Sequence, residues 1–531
     1  MKNKDKYDVV VCGSGFGGSV SALRLAEKGY KVLLLEKGKR YRTKDFPKTN
    51  WNIRKFLWFP KLFLYGIQCI TFLKNVFILH GTGVGGGSLV YANTLLVPKD
   101  EAFEDSRWIG GKWKEKLSPY YKKAQVMLGV TTAKYLSDSD YILKEVANDM
   151  NKGESFSEVN VGIYFDSKEN NKQDPYFDGK GPERSPCTLC GGCMVGCRHN
   201  SKNTLDKNYL FFAEKLGVTI KPETELIDIK YINGKYVLTC KKSTGIIPKQ
   251  TVITAKKVIL SGGVMGTVKL LFKCKNVGSL SNISDKLGDY VRTNSEAILA
   301  VRSSKIEETK DFNKGIAISA GFSPDDKTYI ETCRYGKGQN SMSLLTTHLF
   351  TRKGFFLGVL HFLWNFICHP IQFIKNNSAY KWSSQTMILL VMQPINNYLR
   401  LNYKSRWWKF WGKTMNSELS TNEPIPSHIP IGEEVANRVA TKIKGVPMTS
   451  YMDSFFSIPT TAHILGGACI GKDINDGVID ENFQVFNYPG LYVIDGSAVP
   501  ANLGVNPSLT ITAMAEYAMS KFENNRMLNN E

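Results

Sequence analysis

The 531-residue sequence predicts an α/β fold, and two observations carry that prediction. A strand, a glycine-rich turn, a helix and a second strand open the chain, and a second glycine cluster follows near residue 85. The length suits roughly two to four domains rather than one small module. Hydrophobic residues make up 42% of the chain and charged residues 22%, which excludes disordered, collagen-like and disulfide-scaffold classes.

The charge and cysteine content restrict partners and location. Lysine and arginine number 69 against 48 acidic residues, a formal net charge of +21, and this favours anionic partners. Because no compact basic motif, zinc finger or helix-turn-helix pattern accompanies the charge, we expect no nucleic acid partner. The odd count of 11 cysteines and the lack of a signal-peptide pattern predict a reducing, cytoplasmic location.

The first element is a βαβ unit that predicts dinucleotide binding. The β-branched run from Tyr7 ends in a GxGxxG turn, a helix follows up to Gly29, and the second strand ends in an acid. These glycines permit the tight turn, the approach of a pyrophosphate and the packing of helix on strand, while the acid binds a ribose hydroxyl. A bare structural turn is the alternative. The predicted contacts are Gly13, Gly15, Phe16, Gly17, Gly18 and Glu36.

The second element is the glycine cluster between His80 and Asn93. Its bare backbone amides suit a second phosphate or an isoalloxazine ring, and a plain glycine-rich turn is the alternative. The predicted contacts in this cluster are Gly83, Gly85, Gly86, Gly87, Ser88 and Asn93.

Three motifs in order resemble the glucose-methanol-choline (GMC) oxidoreductase family, and within it the cholesterol oxidase-like branch. They are the opening GxGxxG, the run GVGGGSLVYAN over residues 83–93, and a C-terminal set of His463-Ile-Leu-Gly-Gly, Asp495-Gly-Ser and Asn506-Pro507. The resemblance extends from residue 7 to about 520. It implies a Rossmann-like FAD-binding domain and an α+β substrate-binding domain built on an antiparallel sheet.

The resemblance also implies discontinuous domains and the mode of cofactor binding. The FAD-binding domain takes residues 1–100, 200–300 and 460–531, and the substrate-binding domain takes 101–199 and 301–459, with a cysteine-rich segment at 187–197. Members with a covalent link carry a histidine just after the GGxS segment, where this chain has Leu89, Val90 and Tyr91. We therefore expect non-covalent FAD.

The C-terminal motifs supply the predicted catalytic residues. Oxidation of an alcohol by a flavin requires a base that removes the hydroxyl proton beside the ring. By resemblance His463 is that base, and Asn506 binds the substrate oxygen or polarises the flavin edge; a core histidine and an ordinary turn residue are the alternatives. Asp495, Gly496, Asn506 and Pro507 are predicted flavin contacts near a helix start.

Together these motifs predict an FAD-dependent oxidoreductase that converts the 3β-hydroxyl of a sterol to a ketone, with dioxygen or an electron carrier as acceptor. Glu331 is the candidate base for a secondary activity, Δ5 to Δ4 isomerisation, and a surface glutamate on an ordinary strand is the alternative. The rival enzyme is an FAD-dependent dehydrogenase of long-chain or other bulky alcohols that passes electrons through a cysteine-bound iron-sulfur cluster to an acceptor other than oxygen. A non-catalytic, flavin-bearing membrane-docking protein is the third hypothesis.

The cysteine-rich segment has the C-x2-C-x2-C-x3-C spacing of bacterial ferredoxins. Its candidate ligands are Cys187, Cys190, Cys193 and Cys197. No proline follows the fourth cysteine, and a second run of four is missing. Three hypotheses remain: a [4Fe-4S] cluster that carries electrons from the flavin, a structural zinc ion, and unmetallated cysteines that pack a turn.

Aromatic segments predict peripheral contact with a membrane. Residues 354–374 carry no acid, lysine or arginine, but their histidines, asparagine and proline favour an interfacial or lid helix over a span. The segments Arg54–Tyr65 and Arg406–Lys413 interleave cations with aromatics, as at lipid headgroups. Aromatics that line the substrate cavity or fill the core are the alternative, so membrane association stays open beside the cytoplasmic location.

Overall fold

The computed structural model describes residues 7–165, 174–246, 249–303, 310–349, 355–405, 413–420 and 425–525. The α-helices are, in chain order, α1 (Phe16–Glu27), α2 (Ile53–Phe56), α3 (Trp113–Met127), α4 (Asp138–Asp149), α5 (Tyr209–Lys215), α6 (Gly263–Val277), α7 (Phe355–Cys368), α8 (Pro370–Asn377), α9 (Trp382–Gln385), α10 (Pro430–Ile443), α11 (Tyr451–Phe456) and α12 (Ser508–Ser520).

The strands that build the sheets follow the same order. They are β1 (Tyr7–Cys12), β2 (Val32–Leu35), β3 (Trp58–Phe59), β4 (Leu64–Tyr65), β5 (Gln68–Phe72), β6 (Phe77–Gly81), β7 (Thr131–Thr132), β8 (Ser157–Glu158), β9 (Asn160–Val161), β10 (Thr219–Lys221), β11 (Thr224–Ile232), β12 (Lys235–Lys242), β13 (Gln250–Leu260), β14 (Ala297–Arg302), β15 (Ala320–Phe322), β16 (Tyr329–Cys333), β17 (Thr346–His348), β18 (Thr386–Met392), β19 (Leu399–Ser405), β20 (Lys413–Leu419), β21 (Val446–Ser450), β22 (Thr460–Thr461) and β23 (Leu491–Val493).

The first sheet has a parallel core in the order β10-β2-β1-β13-β23. Val9 of β1 pairs with Val32 on one side and with Lys257 on the other. Val9, Val10 and Val11 are completely buried, as expected of a parallel strand covered by helices on both faces. The hairpin β11–β12 adds to the first half of β13 in antiparallel fashion.

Helix α1 follows β1 directly, so the predicted βαβ unit is confirmed. It packs against α5 and α12, and α12 packs in turn against α3. Arg24 of α1 forms a 2.7 Å ion pair with the buried Glu516 of α12, which ties the two ends of the chain together.

The second sheet is wholly antiparallel, in the order β17-β21-β14-β18-β16-β15-β8. Successive side chains of β14 alternate between its faces. Leu299 and Val301 pack in a core cluster with Val435 and Val439 of α10, whereas Ile298 and Ala300 face a cavity on the opposite side. The predicted fold class, a Rossmann-like domain with an α+β domain on an antiparallel sheet, is confirmed.

A small third sheet lies beside the second sheet, where β22 contacts β14. Its strand order is β22-β6-β5, and Thr460 and Thr461 pair in parallel with Phe77 and Ile78. This pairing brings the segment that precedes His463 next to the segment that precedes the second glycine cluster. The exact domain boundaries stay a prediction.

Helices α7 and α8 carry the long apolar segment and expose much of it. Leu360, Trp364 and Ile367 are 60%, 66% and 70% exposed. Within the described ranges, no helix is both long and apolar enough to cross a bilayer. Residues 406–412 of the second aromatic segment lie outside the described residues.

Candidate functional site

A cavity of about 610 Å³ lies between the two large sheets. Its two ends differ in chemistry. Glycines from three segments line one end: Gly13, Gly15, Gly17, Gly86, Gly87, Gly262, Gly263 and Gly266. Mostly apolar side chains, both large and small, line the other end. They come from the antiparallel sheet and neighbouring segments: Phe77, Leu79, Met194, Ile298, Ala300, Ile318, Cys333, Tyr335, Met342, Leu345, Trp382, Ile388 and Leu390.

The glycine end has the shape of a dinucleotide cradle. A Cβ at Gly15 would meet no protein atom within 4 Å, so open space lies in front of the first turn of α1. A Cβ at Gly18 would collide with the carbonyl of Gly13, and one at Gly17 with the carbonyl of Ile494. The predicted division of roles, in which one glycine faces a ligand and another packs helix on strand, matches this geometry. The residues therefore fit a bound dinucleotide.

Glu36 lies in this wall at the end of β2. Its Oε2 accepts hydrogen bonds from the Ser14 hydroxyl at 2.7 Å and the Ser14 amide at 3.1 Å, and its Oε1 accepts from the Gly38 amide at 2.7 Å. The carboxylate is buried but borders the cavity. Its role toward a ribose hydroxyl stays a prediction.

Several predicted cofactor contacts lie behind the wall rather than on it. Gly18, Gly83, Gly85, Ser88 and Asn93 are not among the lining residues. The Ser14 hydroxyl, whose proton is donated to Glu36, lies 3.1 Å from the Gly83 carbonyl oxygen and accepts a hydrogen bond from the Gly85 amide, also at 3.1 Å. The Ser88 hydroxyl donates to the Gly85 carbonyl at 2.6 Å. These residues shape the loop that presents Gly86 and Gly87 to the cavity.

His463 borders the cavity between its two ends. Its Nδ1 lies 2.5 Å from Oε2 of Glu296, and its backbone amide donates to the Thr461 hydroxyl at 2.9 Å. Burial alone would lower the pKa of His463, but the facing carboxylate of Glu296, with a contribution from Glu331, raises that pKa above the ordinary value of 6.5. Because Nδ1 donates to Glu296, Nε2 is the nitrogen left to accept a proton.

Asn506 links His463 to Glu331. Its Nδ2 lies 3.5 Å from His463 Nε2 and donates to Oε2 of Glu331 at 3.3 Å. The predicted residues His463, Asn506 and Glu331 are thus brought together from three distant segments. Asn506 and His463 border the cavity, whereas Glu331 lies behind Asn506.

Glu331 is completely buried in β16, so the alternative of a surface glutamate is wrong. Burial raises its pKa from 4.5 to about 7, against the opposing effects of the Asn506 hydrogen bond and of His463. Within the part of the chain that the structure describes, Oε1 of Glu331 and Oδ1 of Asn506 have no hydrogen-bond partner. Such orphaned buried oxygens are expected where a ligand donates.

The last predicted contacts form a rim beside the glycine end. Asp495 accepts hydrogen bonds from the Gly263 amide at 2.8 Å and the Thr267 hydroxyl at 2.6 Å. Burial raises its pKa. Asp495, Gly496, Asn506 and Pro507 all line the cavity, and α12 begins at Ser508 just beyond them. The helix start therefore faces the cavity, as the sequence predicts.

Sequence reasoning missed Glu296, the partner of His463. It stands immediately before β14 and is 1% exposed. Its only signal in the sequence is an acid next to an apolar strand, a common pattern that does not identify a partner 167 residues away.

The cysteine-rich segment shows no sign of the predicted metal site in the part of the chain that the structure describes. Among the described residues, no group of three or more histidine, cysteine or acidic side chains could hold a metal ion. Cys193 packs into a hydrophobic cluster, whereas Cys190 is exposed. Left-handed conformations at Leu189, Gly191 and Gly196 turn the chain between them. The hypotheses of a [4Fe-4S] cluster or a zinc ion at Cys187, Cys190, Cys193 and Cys197 therefore find no support, and all four cysteines are free.

Comparison with known sequences decides the family. A family profile described as GMC oxidoreductase matches residues 420–515, and one described as FAD binding domain matches residues 8–46. The chain is 43% identical over 530 residues to the cholesterol oxidase of Acinetobacter baumannii, covering 98% of this chain and 94% of that protein. The chain belongs to the GMC oxidoreductases.

This GMC oxidoreductase is also 44% identical to the cholesterol oxidase of Mycobacterium tuberculosis, over 98% of this chain and 92% of that protein. Among solved structures, pyridoxine 4-oxidase from Mesorbium loti matches the fold with a TM-score of 0.60 at 14% identity, covering 97% of this chain and 99% of that one. As the family implies, the protein is an FAD-dependent oxidoreductase that acts on CH–OH donors.

Proposed function

We propose that this GMC oxidoreductase oxidises the 3β-hydroxyl of a sterol to a ketone. The observation that carries the proposal is the single cavity in which His463 and Asn506 stand between a glycine cradle and a large apolar chamber. A rigid, apolar ring system with one hydroxyl suits that chamber, because its polar end would meet the two polar side chains. The cholesterol oxidases that share 43% and 44% identity with the chain support the same substrate class.

His463 removes the hydroxyl proton. Its Nδ1 is bound to Glu296, so Nε2 accepts the proton from the alcohol, and the facing carboxylate stabilises the imidazolium that forms. Asn506 orients the alcohol oxygen through its amide, which lies 3.5 Å from His463 Nε2. FAD, when bound, accepts the hydride from the carbinol carbon.

Non-covalent binding of FAD is part of the proposal. The residues after Ser88 are Leu89, Val90 and Tyr91, none of which offers a nucleophile suited to a flavin link in this family. The open space at Gly15 and the first turn of α1 would receive the pyrophosphate, and the start of α12 would face the flavin. Denaturation followed by ultrafiltration tests this: all of the FAD should pass the filter, and yellow protein left on the filter would contradict it.

Isomerisation is a second, dependent proposal, favoured by the position of Glu331. Shifting a double bond into conjugation with the new ketone requires a base that takes a proton from the adjacent carbon and returns it at the far end of the double bond. Glu331 has one unpartnered oxygen and a pKa raised to about 7, so it exchanges protons near neutral pH. Glu331→Gln should yield the unconjugated ketone, which ultraviolet absorption distinguishes from the conjugated enone; unchanged enone formation would contradict this role.

Dioxygen is the proposed electron acceptor. The proposal rests on the relatives named above, which are cholesterol oxidases. The deciding experiment measures oxygen uptake and peroxide with a 3β-hydroxysterol, with its 3α epimer as the matched control. Uptake with the 3β epimer alone supports the proposal. Reduction of a dye without oxygen uptake would favour the dehydrogenase.

Contact with a lipid surface is proposed for α7 and α8. They expose Leu360, Trp364, Ile367 and Ile371, and α8 packs against β17, which pairs with β21 in the sheet that lines the cavity. Flotation with anionic vesicles tests it: Trp364→Ser with Ile367→Ser should weaken binding several-fold, whereas Val252→Ser, an equally exposed apolar residue on β13, should not. Equal binding of both variants would contradict the assignment.

A further inference from the structure

We infer that Glu296 is the positioning residue of the proton transfer, because it selects the tautomer of His463 and holds the loop that carries it. The inference rests on the proposed function, in which His463 Nε2 takes the hydroxyl proton. No sequence motif marks Glu296, and its role follows from contacts alone.

Glu296 binds the ring and the backbone of the same loop. Its Oε2 lies 2.5 Å from His463 Nδ1, and its Oε1 accepts a hydrogen bond from the Ala462 amide at 2.5 Å. The side chain has no exposed surface, so water does not compete for either oxygen. A carboxylate is an acceptor at both oxygens, and only a protonated Nδ1 can donate to it. The neutral imidazole therefore presents a bare Nε2 to the cavity.

The segment that carries Glu296 also holds the loop of Asn506. The Asn294 side chain accepts hydrogen bonds from the amides of Leu503 and Gly504 at 3.1 and 2.8 Å, and donates to the Val505 carbonyl at 3.0 Å. Arg292 exchanges backbone hydrogen bonds with Leu465 at 2.9 Å in both directions. Residues 292–296 thus form a buried platform that fixes both catalytic loops relative to each other.

The backbone of the platform is unusual. Asn294 and Ser295 both have left-handed conformations, with φ of 64° and 42°. Two consecutive non-glycine residues of this kind cost free energy and persist only where the surroundings hold them. Glu296, which follows this turn directly, contacts His463 and the Ala462 amide.

Two charged groups face His463, Glu296 at Nδ1 and Glu331 on the Asn506 side. Of these two carboxylates, only that of Glu296 contacts the ring directly. Removing its charge should therefore lower the pKa of His463, whereas removing that of Glu331 should change it less. A residue with a purely structural role would not produce this difference in the pKa of His463.

The test compares Glu296→Gln with Glu433→Gln in the FAD-loaded enzyme. Glu433 forms a similar half-buried pair with His428, at 2.9 Å, outside the cavity lining. In Glu296→Gln, the Ala462 amide still requires an acceptor, so the new NH2 faces Nδ1 and favours the tautomer with a proton on Nε2. We expect flavin reduction at least about a hundredfold slower with little change in the KM. Glu296→Asp should recover part of the rate, and Glu433→Gln should keep all of it.

Nitrogen NMR of histidine-labelled enzyme supplies an independent readout without substrate. The signals of His463, assigned with His463→Gln, should show a neutral ring protonated at Nδ1 and a pKa that falls in Glu296→Gln. A ring protonated at Nε2 in the wild type, or wild-type reduction rates in Glu296→Gln, would overturn the inference. If Glu296→Gln does not fold, the tautomer of His463 in the wild-type enzyme still tests the inference. If sterol reduces no wild-type flavin, the proposed function fails while the tautomer still tests Glu296.

Discussion

The two ends of the cavity are built in different ways. The cofactor end is made of backbone, with Gly13, Gly15 and Gly17 within a few residues of one another, and its specificity lies in the absence of side chains. The catalytic centre next to the apolar end is made of side chains from separate segments: Glu296 and His463 lie 167 residues apart, and Glu331 and Asn506 lie 175 apart. Substitutions at the cofactor end should abolish FAD binding. Substitutions in the catalytic centre should leave FAD bound but not reduced by substrate.

The largest effect is expected from Gly15→Val. A Cβ there would meet no protein atom within 4 Å, and the valine side chain would fill the space in front of α1, so the protein should fold and bind no FAD. Gly15→Ala, with a smaller side chain, should retain part of the FAD. Visible absorption of the purified proteins measures the loading. A Gly15→Val protein with full flavin absorption would contradict the assignment of the glycine end of the cavity to FAD.

The next effect is expected from His463→Gln, which should keep its FAD. Without an acceptor at the Nε2 position, flavin reduction by sterol should slow by about a hundredfold or more. Stopped-flow absorption under anaerobic conditions measures it, and His428→Gln, which disrupts a histidine–carboxylate pair away from the cavity, is the control. Wild-type reduction rates in His463→Gln would remove His463 from the mechanism.

In the wild type, the rate of reduction should also depend on pH in a defined direction. His463 must be neutral to accept a proton, and Glu296 raises its pKa above 6.5. The rate should therefore rise with pH through a transition that lies above the one of an ordinary histidine. A pH series of single-turnover reductions measures the transition, and one at or below pH 6.5 would contradict the pairing.

A smaller effect is expected from enlarging the apolar wall. Ala300→Leu would project into the chamber, whereas Ala297→Leu makes the same change on the opposite face of β14, where Ala297 packs in the core. Ala300→Leu should lower kcat/KM for a sterol by about tenfold relative to a small alcohol. Ala297→Leu should lower stability and leave this preference unchanged. Equal preference in both variants would show that the substrate lies elsewhere.

The last effect is expected on stability rather than on activity, in Glu331→Gln. Burial raises the folded pKa of Glu331 from 4.5 to about 7, so the folded protein keeps a proton that the unfolded chain releases. The wild type therefore loses stability as pH rises from about 4.5 to 7, and the glutamine variant does not. The variant should gain up to ~3 kcal/mol relative to wild type over that window, as urea unfolding would show. A difference independent of pH would contradict the burial argument.

The contrast between backbone and side chains also explains what the sequence could predict. The fold class and the glycine cradle could be predicted because Tyr7–Glu36 contains the strand, turn, helix and strand of the unit in one continuous stretch. His463 and Asn506 could be proposed only through their motifs. Glu296 could not, because a buried acid in contact with a distant histidine has no local signature.

The cysteine-rich segment shows how little spacing alone establishes. Its spacing has the pattern of a cluster site, but spacing fixes only the distance along the chain. Positive φ angles at Leu189, Gly191 and Gly196 turn the chain between the cysteines, and Cys190 is exposed whereas Cys193 is buried. Whether four thiols meet at one metal ion depends on the folded conformation and not on their spacing alone.

The most direct test of the central claim is the visible absorption spectrum of anaerobic, FAD-loaded enzyme before and after addition of a 3β-hydroxysterol. The claim is that one cavity holds the flavin and the sterol hydroxyl on either side of His463 and Asn506. A two-banded flavin spectrum that bleaches with the 3β-hydroxysterol, and not with its 3α epimer, is the predicted result. A flavin that stays oxidised with the sterol, yet bleaches with dithionite or another alcohol, would contradict it.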